Sequence, residues 1–127
     1  MVSEKHLDFI QSAIARMGAN SFQMKAWNVG LATAAIGFAA AKDSHSRAAV
    51  FALAPGFVFW CLDAYYLRLE RAFRNLYKDA VAGRVNTYVM EPSLTSRMWL
   101  TAFFRPSVLL VHAVALAVIF TVTYSTP

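Results

Sequence analysis

Asp63 is the residue whose position most strongly indicates chemistry, because it lies within a long apolar segment. The next charged side chain, Arg68, follows five residues later. At 1.5 Å per helical residue, this spacing places Asp63 about 7 Å inside the end of that segment. A carboxylate at such depth is costly in hydrocarbon and is commonly functional. We therefore expect it to have a hydrogen-bond donor or a cation beside it.

Two further segments supply candidate partners at a similar depth. Lys25 and Asn28 lie near the start of one apolar segment, and His112 lies six residues into another. The predicted intramembrane polar layer contains Lys25, Asn28, Asp63, Tyr65, Tyr66 and His112. Three interpretations stay open: a structural staple between helices, the lining of an aqueous path for ions or protons, and a carboxylate at the membrane surface.

The second and third of the apolar segments that carry this layer are long enough to cross a membrane, and the first is long enough only if residues 21–24 are counted with it and Lys25 snorkels. The three segments cover residues 26–41, 48–67 and 106–127, in a chain that is 58% hydrophobic and 15% charged. A spanning helix needs about 20 apolar residues, and an average soluble domain is about 25% charged. The sequence predicts an all-α integral membrane bundle with three transmembrane helices and a cytosolic helical layer. A soluble all-α bundle with an unusually apolar core is the alternative.

The chain divides into five predicted parts of one membrane domain. Residues 1–20 form a cytosolic amphipathic helix, 21–41 the first span, 48–67 a second span extended to 82 in the cytosol, 93–104 an interfacial helix, and 106–124 the third span. A bend or break is expected at Gly18 and Asn20. Pro55-Gly56 is expected to kink the second helix in mid-membrane.

Two surface patterns predict how these helices pack. The stripe Leu7, Ile10, Ile14 and Met17 is expected to cover a second stripe, which comprises Leu69, Phe73, Leu76 and Ala80. Small residues spaced by three and four along the first span favour close helix packing within or between subunits. The predicted packing face contains Ala26, Gly30, Ala34 and Gly37. The alternative is that alanine is simply common in helices.

The basic residues indicate an orientation and a class of partner. With the N-terminus in the cytosol, ten Lys and Arg residues fall inside and two, Lys42 and Arg47, fall outside. This bias agrees with the positive-inside rule. The extension of the second helix carries residues expected to contact anionic lipid headgroups or a cytosolic protein: Arg68, Arg71, Arg74 and Lys78. The net charge of +5 is explained by these positions, and we expect no nucleic acid.

The sequence contains no enzyme signature. There is no HExxH motif, no glycine-rich phosphate loop and no Cys/His metal spacing, and His6, His45 and His112 lie on separate segments. We expect neither catalysis nor a cofactor nor a metal.

One segment resembles a known kind of protein. Residues 59–77 follow the pattern FWxLDxYYLxxERxFRxLY and resemble small uncharacterised bacterial membrane proteins. The helical hairpin with a protruding charged helix is loosely similar to SLATT-type membrane effector domains, which are linked to bacterial defence and proposed to form pores. This chain differs by its third span and by the absence of a sensor domain. The resemblance implies the bacterial inner membrane, and the Lys and Arg bias predicts an N-terminus inside and a C-terminus outside.

The expected function is a homo-oligomeric, pore- or channel-like membrane protein, in which the resemblance implies a bacterial defence effector. The alternative is a non-conducting membrane scaffold that recruits a cytosolic partner through its charged helix.

Overall fold

The computed structural model describes residues 2–41, 50–86 and 88–125, which fold into four α-helices without a strand. The helices are α1 (Glu4–Ala40), α2 (Leu53–Val81), α3 (Ser96–Phe103) and α4 (Pro106–Ser125). The all-α prediction is therefore confirmed. The structure does not describe Lys42 and Arg47, the two basic residues expected beyond the membrane, or the extreme termini.

The first helix is one element of 37 residues, about 55 Å long. Ser3 caps its N-terminus by accepting a hydrogen bond from the backbone N–H of His6 at 3.3 Å. The expected break at Gly18 and Asn20 is absent. A Cβ at Gly18 would lie 3.4 Å from the carboxylate of Glu70. Gly18 thus marks a close approach of α2 to α1 within a continuous helix.

The second helix begins later than the sequence suggests. A 3₁₀ turn covers residues 50–52, and α2 starts at Leu53. Pro55 therefore lies in the first helical turn, where its missing N–H would have no intrahelical partner. The predicted mid-helix kink at Pro55-Gly56 is wrong for this reason. At the other end Gly83 has a φ of +69° and terminates the helix.

The last two helices follow the predicted boundaries closely. Thr95 caps α3 by accepting a hydrogen bond from the backbone N–H of Met98 at 3.3 Å. Arg105 and Pro106 then make the turn into α4. The loop before α3 is held to α1, because the buried His6 donates from Nε2 to the carbonyl of Val89 at 2.8 Å.

Apolar contacts form three clusters along the bundle. Ile10, Leu76 and Ala80 form the cluster at one end, with Leu7 and Phe73 packed against it. The predicted contact between the two amphipathic stripes is thereby confirmed. The middle cluster joins α2, α3 and α4 and comprises Ala64, Leu67, Ala102, Phe103 and Val108. The cluster at the other end joins α1 and α4 and comprises Ala32, Ala35, Ala115 and Ile119.

Two helices in the described part of the chain are long and apolar enough to cross a membrane. They are Val50–Val81, which includes the 3₁₀ turn, and Pro106–Ser125. The helix α1, which contains the predicted first span at residues 21–41, does not meet this criterion.

Candidate functional site

A polar network lies in the core between the middle and the distal apolar clusters. On α1, Ser21, Lys25 and Asn28 are spaced by four and three residues, which places them on one face of the helix. Asp63 comes from α2 and His112 from α4. The side chains of Asp63, Asn28 and His112 are fully buried. Three helices that are separate in sequence thus each contribute to one cluster.

The carboxylate of Asp63 has a donor from each of the two neighbouring helices. Lys25 Nζ lies 2.6 Å from Oδ2 and 2.8 Å from Oδ1. Ser21 donates its hydroxyl to Oδ1, and Lys25 also donates to Ser21 at 3.0 Å. The Lys25 side chain is 20% exposed, whereas that of Asp63 is 0% exposed. Lysine therefore brings its charge in from the edge of the core to neutralise a carboxylate that has no access to solvent.

His112 extends the network beyond the ion pair. Its Nε2 donates to Asp63 Oδ2 at 2.9 Å, and its Nδ1 accepts from Asn28 Nδ2 at 2.5 Å. Asn28 Nδ2 also donates to the carbonyl of Gly56 at 3.2 Å. Because that carbonyl can only accept, it orients the amide with its NH₂ toward His112. In this arrangement the imidazole of His112 donates from Nε2 and accepts at Nδ1, which is the pattern of the neutral ring. The network then contains one cation, Lys25, and one anion, Asp63.

Gly56 provides the space that this network needs. A Cβ there would lie 2.7 Å from Leu116 Cδ2 and 3.1 Å from Asn28 Oδ1. The glycine thus permits α2 to approach both α1 and α4. Asn28 Oδ1 is buried without a hydrogen-bond partner, so the amide makes its donor contacts at the expense of its acceptor.

Aromatic rings cover the network on the side of α3. The ring of Trp60 stacks on His112 with centroids 6.2 Å apart and on Phe103 with centroids 4.5 Å apart. The indole Nε1 donates to the carbonyl of Phe103 at 3.1 Å. On the opposite side lies the distal apolar cluster, which includes Ala32 and Ile119. The network is therefore enclosed by apolar groups along the bundle and is reached from outside at Lys25.

The structure brings together four of the six predicted layer residues, namely Lys25, Asn28, Asp63 and His112. The predicted pairing of Asp63 with a buried donor is confirmed. Tyr65 and Tyr66 lie outside the network, and their rings pack on each other at 5.5 Å. Tyr65 follows Asp63 by two residues, about 200° around the helix, and is 40% exposed. Helical rotation thus overrides proximity in sequence.

The predicted small-residue face does not pack within the chain. Its members Ala26, Gly30, Ala34 and Gly37 are all exposed. A Cβ at Gly30 or Gly37 would meet nothing within 4 Å. Other small residues of α1, Ala32 and Ala35, contact α4 instead. Within one copy the predicted packing role of these four residues is therefore wrong.

The predicted basic stripe on α2 divides into two kinds of residue. Arg74 is paired with Glu70 one turn earlier, at 2.7 Å, and Lys78 is exposed. Arg68 and Arg71 are partly buried and lie on the same helix nearer to the network. The stripe is thus not a uniform surface.

Sequence reasoning missed three residues of the site: Ser21, Gly56 and Trp60. Ser21 lies four residues before Lys25, and Gly56 lies seven before Asp63, so helical spacing would have identified both. Among the described residues, no group of three or more His, Cys, Asp or Glu side chains could hold a metal ion.

Comparisons with models of protein families, with curated proteins and with solved structures found no match to this chain. The site and the surface of the bundle are therefore the features that bear on function.

Proposed function

We propose that this protein is a three-span membrane bundle that works as a homo-oligomer, with a channel-like path for ions between its copies. The exposed surface of α1 supports a membrane-spanning role for this helix. Its C-terminal half presents large apolar side chains outward, with Phe22 71% and Trp27 57% exposed. Water would oppose such exposure, whereas lipid would favour it. The distribution supports α1 as the third spanning helix beside α2 and α4.

The positions of the basic residues support one orientation of the bundle in the membrane. The N-terminal half of α1 packs on the C-terminal half of α2, and α3 and the start of α4 pack on the middle of α2. Nine of the ten basic residues expected inside lie in or next to these segments, and the tenth, Lys25, lies just beyond the N-terminal half of α1. The ten are Lys5, Arg16, Lys25, Arg68, Arg71, Arg74, Lys78, Arg84, Arg97 and Arg105. This distribution supports a cytosolic N-terminus in the bacterial inner membrane.

The enclosed network is the observation that carries the proposal of a path between copies. Inside one copy, Asp63 is neutralised by Lys25 and hydrogen-bonded by His112. Beyond them the distal cluster of alanine and isoleucine side chains offers no polar group to a moving ion. A path through a single copy is therefore disfavoured. In this proposal the network holds each copy rigid, and the lining of the path comes from outer faces.

The exposed small-residue face supplies a surface for association. Ala26, Gly30 and Ala34 line an open groove of about 530 Å³, which Trp27 and Phe59 flank. In lipid, helices associate through close backbone contacts that small residues permit. A second copy that lays its own helix into this groove would contact Gly30, where the backbone is bare. The bacterial defence role implied by the resemblance would require such an assembly.

Two measurements on the purified full-length protein test this function. Native mass spectrometry in detergent should give an oligomer, and Gly30→Leu should shift it toward monomer, with Val114→Leu at an exposed position of α4 as a control outside the face. Proteoliposomes should then pass monovalent ions at a rate that Gly30→Leu reduces at least about tenfold. A monomeric wild type, or ion flux that is indifferent to Gly30→Leu, would contradict the proposal.

A second candidate is a non-conducting scaffold, which the surface of α2 favours. Since α1 already covers the apolar stripe of this helix, the outward side offers polar chemistry. A groove of about 360 Å³ is lined there by Gln11, Ile14, Arg74, Tyr77 and Lys78. Such a groove suits an acidic peptide. Liposomes without flux, together with loss of partner binding in Lys78→Glu, would favour the scaffold over the channel.

A further inference from the structure

Three arginines converge where α2 passes the turn between α3 and α4. Arg68 and Arg71 lie one turn apart on α2, and Arg105 is the second of the two residues between α3 and α4. Leu67, one turn before Arg71 on α2, lies in one apolar cluster with Phe103 and Val108, which precede and follow Arg105 in sequence. Burial and then the charge of Arg105 lower the pKa of Arg71. Like charges on separate elements have thus been brought together by the tertiary structure.

Arg68 and Arg71 differ from the other basic residues of the layer in being partly buried without an acidic partner. In the described part of the chain, Arg74 pairs with Glu70 at 2.7 Å and Arg84 pairs with Asp79 at 2.5 Å, whereas Arg68, Arg71 and Arg105 make no salt bridge. The Nε of Arg68 is buried without a hydrogen-bond partner. Its guanidinium lies over the ring of Tyr65, 5.3 Å from the centroid. Within the described part of the chain, this guanidinium therefore has no hydrogen-bond acceptor.

The surroundings place this cluster at the depth of lipid headgroups. Arg105 directly follows Phe104, which is 62% exposed, and Leu100 on α3 is 51% exposed. Aromatic and aliphatic groups next to arginine are typical of the membrane interface. Toward the core of the bundle, Trp60 and Phe103 close off the polar network. An anion bound by the three arginines would therefore have water on one side and acyl chains on the other.

We propose that Arg68, Arg71 and Arg105 bind the phosphate diester of an anionic phospholipid. Guanidinium groups form paired N–H···O hydrogen bonds with phosphate and tolerate partial desolvation better than an ammonium. A bound phosphate would offset the repulsion between Arg71 and Arg105 and would accept from the terminal nitrogens of the Arg68 guanidinium. The shared chemistry is a phosphate anion, which free phosphate could also supply; the apolar surroundings favour the lipid. The site does not depend on oligomerisation.

Native mass spectrometry of the full-length protein tests the site directly. Titration with dioleoylphosphatidylglycerol should show tighter binding than titration with the zwitterionic phosphatidylcholine. Arg71→Gln/Arg105→Gln should weaken phosphatidylglycerol binding about 25-fold, from about fivefold per basic residue. The control Lys78→Gln/Arg84→Gln removes the same number of charges from the same layer and should change binding by less than about twofold.

Three results would overturn the proposal. The first is equal binding of the two lipids by the wild type. The second is an equal effect of the cluster and control substitutions. The third is displacement of phosphatidylglycerol by an equimolar concentration of inorganic phosphate, which would make the site one for free phosphate. If the glutamine variant loses helical circular dichroism, Arg71→Lys/Arg105→Lys replaces it. That variant keeps the charges but lacks the guanidinium fork, so it should retain the lipid preference with intermediate affinity.

Discussion

Breaking the Lys25–Asp63 pair should cost much more stability than breaking an exposed pair, and the two single substitutions should differ. Lys25→Met leaves a carboxylate that is 0% exposed without its cation. Asp63→Asn leaves an ammonium that is 20% exposed and can extend to water. We therefore expect Lys25→Met to be the more destabilising change.

The structure sets the magnitude. Removing one partner of a buried pair costs about 3–5 kcal/mol. Lys25→Met should lie at the upper end of this range. Asp63→Asn should lie at about 3 kcal/mol, since the new amide still accepts from Ser21 or from His112 Nε2. The double variant contains neither charge and should cost about 2–3 kcal/mol less than the sum of the single changes.

The assay is unfolding by sodium dodecyl sulfate in mixed micelles, followed by circular dichroism. Asp79 and Arg84 provide a matched control cycle, because they form a pair at a similar distance, 2.5 Å, between side chains that are 44% and 63% exposed. Their coupling should be about 0.2–1 kcal/mol. A Lys25–Asp63 coupling no larger than this control would refute the view that the network holds the three helices together.

Three further substitutions test the packing around the network and in the end layer. Leu76→Ala should cost about 2–5 kcal/mol in the same unfolding assay because Leu76 is buried against Ile10, while Phe9→Ala, at a 54% exposed position, should cost under about 1 kcal/mol; similar costs would contradict the predicted stripe contact. Gly56→Ala should cost about 1–3 kcal/mol through the contact with Leu116, and a neutral outcome would show that the helices separate easily there. Ser21→Ala should cost about 1.5–3 kcal/mol, the value of a hydrogen bond to a charged group; no loss would mean that Lys25 alone satisfies that oxygen.

Much of the secondary structure could be predicted from local sequence. Ser3 and Thr95 have side chains that satisfy free N–H groups at a helix start, and Gly83 adopts the positive φ that favours glycine at a helix end. The apolar stripes ending at Met17 and Ala80 show which faces need cover from water. These are properties of short segments, so they are visible without the fold.

The candidate site was predictable only in part. Distance from the end of a helix can be counted along the sequence, so Lys25, Asn28, Asp63 and His112 could be predicted to lie at a similar depth. Tyr65 was wrongly included, since depth does not specify rotation about the helix axis. Ser21 was missed, because its hydroxyl matters only where α2 presents Asp63 opposite to it.

The sequence by itself determined that this protein is all-α, where its helices are capped, and that a buried carboxylate needs a partner. Tertiary structure alone decided that α1 continues through Gly18, because α2 packs along it and the glycine admits Glu70. It likewise decided that Gly56 is a point of close approach and that Ala32 rather than Ala34 faces α4. Propensity and hydropathy act within a segment, whereas the rotation and spacing of helices follow from which side chains fit between them.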